Sequence, residues 1–169
     1  MKRLIAVMSL LAALTIPAEA SHRDFDVRGI VGHAGCRAAV VTSDQHEIWE
    51  SFYDYDANQL YIGTAPGVPD AAMLTVLYHE IGHCLQFQDG LFDGRPAILL
   101  ELDADRRAAD MACRAGMDGR GMLRATLKLA QEVFDYNGDF NHGTLDQRIS
   151  MGRLALSCEV AQAPMLARN

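Results

Sequence analysis

The sequence predicts an α+β protein, with a small N-terminal β-sheet packed on a mostly helical core. Three observations carry this. Short stretches of β-branched and aromatic residues, broken by Gly, Ser and Asp, are confined to the part of the chain before residue 65. After Pro69 the apolar residues recur instead at helical spacing, in four segments separated by Gly and Pro breaks. The first of these helices carries His79-Glu80-Ile81-Gly82-His83, whose two imidazoles stand at i and i+4 and so share one face.

The fold is expected to begin after residue 20. Met1-Lys2-Arg3 is a basic start, Leu4 to Ile16 is apolar, and Ala18-Glu19-Ala20 has the form of a cleavage site. The apolar run falls short of the roughly 20 residues that span a bilayer, so residues 1–20 read as a signal peptide. Residues 21–169 then form a single domain, exported to a periplasm or secreted. The formal charge of −7 becomes one unit more negative once Lys2, Arg3 and Glu19 are removed. That balance argues against nucleic acid and anionic membranes as partners, and no membrane is expected for the mature form. Cys36, Cys84, Cys113 and Cys158 are an even set in an exported chain, which predicts two disulfides. Of the three connectivities, Cys84–Cys113 with Cys36–Cys158 is preferred. The rival role for Cys84, as a metal ligand, is disfavoured because on a helix it points about 100° away from His83.

Residues 27–31, 36–42, 46–53 and 60–64 read as short strands, with a polar turn over 54–58. The strand at Leu60–Thr64 precedes the motif helix, where a substrate could add as a further strand; an interior position is the equal alternative. His46-Glu47 lacks a second His and is given no function. The motif helix runs from an Asp70 N-cap to Gln88, with Leu74, Leu77, Tyr78, Ile81 and Leu85 as its buried stripe. Gly82 weakens a helix by about 1 kcal/mol relative to Ala, which points to close approach of another backbone. A second helix runs from Pro96 to about Ala115 and stops at Gly116. A third spans Gly119 to Tyr136, facing inward with Met122, Leu123, Leu127, Ala130 and Phe134. Asp135 to Asp146 has some calcium-loop spacing, but Phe140 stands where that loop needs Gly, so it reads as a polar turn. Thr144 and Gln147 form a capping box that opens a last helix through about Ala161.

His79 and His83 on one face can bind a Zn²⁺ at roughly 2.0–2.1 Å, with Glu80 leaning toward the open side as a base. If the second helix returns antiparallel, Glu101 comes opposite the histidines. A His₂Glu set with one position open is the arrangement of a catalytic zinc. Asp105, one turn on, could accept the second ring N–H of His79 and fix its tautomer. The plainer alternative pairs these acids with Arg106 and Arg107 on a wet surface.

Three segments now fall in order: His79-Glu80-Ile81-Gly82-His83, Glu101-x-x-Ala104-Asp105-Arg106, and His142-Gly143-Thr144-Leu145-Asp146-Gln147-Arg148-Ile149. Over residues 58–150 the chain resembles the HtpX-like and CaaX-prenyl-endopeptidase zinc peptidases, within the gluzincins. That resemblance implies a zincin-like fold with an HExxH active-site helix, and hydrolysis of peptide or protein substrates. It implies zinc on His79, His83 and Glu101, Glu80 as general base toward a zinc-held water, and Asp105 behind the ligands. His142 and Arg148 would lie near substrate, the former as oxyanion donor and the latter assisting or clamping a carboxylate. Gly143 stands where the family has Pro, and the membrane helices of many relatives have no counterpart. A reading from another class is a noncatalytic exported zinc-binding or protein-interaction module on a peptidase fold; an intact Glu80 favours the enzyme.

Overall fold

The computed structural model describes residues 27–40, 51–63, 69–134 and 142–152. Their elements run α1 (Val27–His33), β1 (Ala38–Val40), β2 (Phe52–Asp54), β3 (Gln59–Ile62), α2 (Asp70–Gln88), α3 (Ala97–Arg114), α4 (Gly119–Phe134) and α5 (Leu145–Gly152). The α+β expectation holds at that level. The segments predicted over residues 1–26, the His46-Glu47 pair, the calcium-like stretch 135–141 and the chain after 152 lie outside the described residues.

The segment 27–31, expected as a strand, is the start of α1. Its β-branched residues suggested a strand, but Val27, Ile30 and Val31 recur at helical spacing and all three meet the core, Val31 completely buried. The sheet has the order β1-β3-β2. β1 pairs parallel with β3, from Ala38 opposite Leu60 to Val40 opposite Ile62, and β2 pairs antiparallel with β3, with Tyr53 opposite Leu60. Of the two positions left open for the strand before the motif helix, edge or interior, β3 takes the interior one, and β2 is an outer strand among the described residues. The polar turn is as expected: Ala57 N–H donates to Asp54 Oδ1 and Tyr53 Oη donates to Asn58 Oδ1 at 2.7 Å.

Helix α2 is the centre of the molecule. Leu74, Leu77, Tyr78, Ile81 and Cys84 join one cluster with Leu60 and Ile62 of β3 and Ala108 and Ala112 of α3. It is buried almost all round, as a helix must be when the sheet packs on one side and helices on the other. Asp70 is not its N-cap. Pro69 holds that place with no side-chain bond, and Asp70 sits in the first turn, where a carboxylate still complements the helix dipole. Pro96 likewise caps α3 instead of entering its first turn.

Helix α3 runs antiparallel to α2, so that Gln86 faces Leu100, Gly82 faces Ala104 and His79 faces Asp105. The approach is close: a Cβ at residue 82 would lie 3.1 Å from the Ala104 Cα and 3.2 Å from its carbonyl oxygen. Glycine in the motif and alanine in the second segment thus meet as a matched pair, the compensation expected for a helical glycine. At the far end Gly116, at φ 82°, donates to the Cys113 carbonyl while Met117 donates to Ala112, ending α3 as predicted. Helix α4 covers the pair through Leu123 and Leu127 against Ala109, with Leu145 and Ile149 of α5 packed alongside. The capping box is formed: Thr144 N–H donates to Gln147 Oε1, and Gln147 N–H donates back to Thr144 Oγ1.

The preferred disulfide pairing is overturned. Cys36 bonds Cys84, with the two Cα atoms 6.2 Å apart, which rules out both Cys84–Cys113 and Cys36–Cys158. The turn after α1 carries Cys36 back against α2, so the thiol next to His83 meets the N-terminal segment instead of α3. Cys113 is also disulfide-bonded, while Cys158 lies outside the described residues. Closing a loop of 48 residues removes about 4 kcal/mol of chain entropy from the unfolded state. Among the described residues no helix is long and apolar enough to cross a membrane.

Candidate metal centre

The antiparallel contact of α2 and α3 brings together the three residues singled out as ligands. His79 Nε2 lies 3.2 Å from His83 Nε2, 3.1 Å from Glu101 Oε2, and His83 Nε2 lies 3.3 Å from Glu101 Oε1. The two rings stand perpendicular, so both nitrogens aim at one point without stacking.

What lies behind each ring fixes what faces the front. Asp105, completely buried, accepts from His79 Nδ1 at 2.9 Å. A carboxylate can only accept, so the Nδ1 proton is held there and Nε2 is left with its lone pair. Gln86 does the same for His83. Its amide Nε2 donates to the Leu100 carbonyl and to Asp103, so its Oε1 is the atom 3.0 Å from His83 Nδ1. Gln86 escaped the sequence reading, although it stands three residues after His83, on the same helical face, and is a fully buried amide amid apolar neighbours.

The two Nε2 atoms and both Glu101 oxygens, four acceptor atoms from three residues, are therefore brought together by contacts of 3.1–3.3 Å, an arrangement that repels itself unless a cation sits among them. Four-coordinate bonds of roughly 2.0–2.1 Å place ligand atoms about 3.3 Å apart, so the donor set and its spacing fit such an ion. Of all the His, Cys, Asp and Glu clusters among the described residues, His79, His83 and Glu101 are the group able to hold one. Burial works against charge on His79, yet its bonds to Asp105 and Glu101 prevail and raise its pKa to about 10. Burial pushes Glu101 up, but the two imidazoles outweigh it and hold the carboxyl well below the usual range.

Asp105 is itself anchored. Arg148 Nε and one of its terminal amines donate to the two carboxylate oxygens at 2.7 Å each, a bidentate pair buried beneath the histidine. Burial alone would raise the Asp105 pKa, but the guanidinium and then His79 hold it low. Arg148 was expected to meet substrate. It lines the same cavity as Glu80 and the histidines, and two of its guanidinium nitrogens donate to Asp105, so the fork also positions His79 through a carboxylate. The surface alternative for the acids fits Asp103, which pairs with Arg106 and Arg107, and leaves Glu101 and Asp105 to the histidines.

The fourth side of the ligand set opens on a cavity of about 530 Å³, within the range of small-molecule and peptide sites. Glu80 and His142 line it, as do Phe52 and Tyr53 of β2 on one side and Leu123 and Leu127 of α4 on the other. Glu80 is only 6 % exposed, and burial raises its pKa although both imidazoles pull it down. Unlike Glu101 and Asp105, its carboxylate makes no hydrogen bond to the described residues. No protein-family model, curated protein or solved structure matches the chain.

Proposed function

We propose that the chain is an exported zinc-dependent peptidase with a zincin-like fold, akin to the HtpX-like gluzincins. The observation that carries the reading is the three-ligand set open on the side where Glu80 enters the cleft. A purely structural site closes its fourth position with protein and has no use for a buried free carboxylate. The Cys36–Cys84 bond supports export, since such bonds persist in oxidising compartments.

His79, His83 and Glu101 would hold the ion, and Asp105 with Arg148, and Gln86, keep the two imidazoles aimed at it. A divalent ion there supplies Lewis acidity, lowering the pKa of water and polarising a carbonyl. Glu80 accepts a proton from water as its oxygen bonds to the peptide carbonyl carbon. The same carboxyl returns that proton to the amine as the carbon–nitrogen bond breaks. Burial raises its pKa, which favours the carboxyl's holding the proton between the two halves of the exchange. The apolar walls of β2 and α4 bind an extended peptide, and the outer position of β2 among the described strands lets substrate backbone pair beside it.

The test uses the full chain, loaded with zinc and challenged with a mixed peptide library. Cleavage that a chelator stops and added zinc restores is expected. Bound zinc without any turnover would instead favour a noncatalytic metal-binding or protein-interaction module.

A further inference from the structure

Acyl transfer needs a hydrogen-bond donor placed where the carbonyl oxygen gains charge, besides any metal. Sequence alone nominated His142, assisted by Arg148, but Arg148 commits its fork to Asp105. Another residue meets the requirement. Tyr55, in the turn after β2, lines the same cavity as Glu80, Glu101 and both histidines. Its ring is held on two sides, edge-on to Tyr53 at 5.1 Å between centroids and against Phe92 of the α2–α3 loop at 4.2 Å. The hydroxyl makes no hydrogen bond to the described residues, so its donor is available to the cleft.

We infer that the Tyr55 hydroxyl is the donor that meets the substrate carbonyl oxygen during peptide cleavage, an inference that rests on the peptidase reading. Two contacts brace the ring while the hydroxyl is left uncommitted, which is the preorganisation such a donor needs. The proton stays in place at neutral pH. Burial, then the charges of Glu101 and Glu80, raise the Tyr55 pKa to about 12. The proton is shared in a hydrogen bond and is not transferred.

Tyr55→Phe removes the hydroxyl and keeps both ring contacts. For the zinc-loaded full chain, kcat is expected to fall about 100-fold with KM, zinc content and melting temperature unchanged. In parallel, the affinity for the phosphinic isostere of alanyl-leucine, whose anionic oxygens mimic the tetrahedral intermediate, is expected to weaken by at least tenfold relative to wild type. An unchanged kcat overturns the inference, as does a fall accompanied by loss of zinc or of stability. If the wild type cleaves nothing, the peptidase reading fails, and isostere binding alone decides. Weaker binding by Tyr55→Phe then upholds the donor, whereas equal affinity, or no binding by either protein, overturns it.

Discussion

Glu80→Gln is expected to lower peptide hydrolysis by about 10³-fold while the bound ion stays in place. The amide matches the carboxylate in size and cannot take a proton from water, so only the proton-transfer step is removed. The three ligands lie on other residues, and both imidazoles keep their buried partners Asp105 and Gln86. Burial disfavours the charged form of Glu80, so a neutral amide should leave the fold as stable as before or slightly more so. Steady-state kinetics, metal analysis and a thermal melt separate these effects. Undiminished cleavage would remove Glu80 from the role of base.

Asp105→Ala should produce the largest loss of stability. The carboxylate is completely buried and joins His79 of α2 to Arg148 of α5. Removing one member of a buried charge pair costs about 3–5 kcal/mol, because the other charge keeps its burial and loses its partner. Metal affinity should fall as well, by roughly 10–100-fold, since the His79 ring loses the group that fixes its tautomer. Urea unfolding of the metal-free protein and a metal titration read the two effects separately. A stability change within about 0.5 kcal/mol, the size typical of a surface substitution, would refute the anchoring role. Combining Asp105→Ala with Arg148→Met tests the pair itself. Strictly additive losses would mean the two do not interact.

The candidate metal site was legible in the sequence because its logic is local. The i, i+4 spacing fixes the two histidines on one face whatever the rest of the chain does, and a short loop with Gly and Pro signals turns α3 back beside α2. The Gly82–Ala104 contact followed from the same reasoning, since a glycine inside a strong helix calls for a close neighbour. What failed depends on contacts between distant segments. Residues 27–31 favour a strand by composition, yet Val31 finds its burial against α2 and the sheet as part of a helix. Cys36 reaches Cys84 only because the turn after α1 comes back to α2, which no spacing encodes. The interior place of β3 was one of two positions the sequence left open, and only β1 arriving parallel beside it decides between them. Gln86 and the fork of Arg148 lie between these cases: helical phase puts Gln86 near His83, but only the packed structure shows what each polar group bonds.

The convergence of His79, His83 and Glu101 on one ion is tested most directly by zinc stoichiometry and affinity in the wild type and in Glu101→Ala. One ion per chain is expected, with affinity in the variant reduced by more than the roughly 10–100-fold typical of losing an outer partner. A wild type that binds no zinc, or a Glu101→Ala protein that binds it undiminished, would contradict that site.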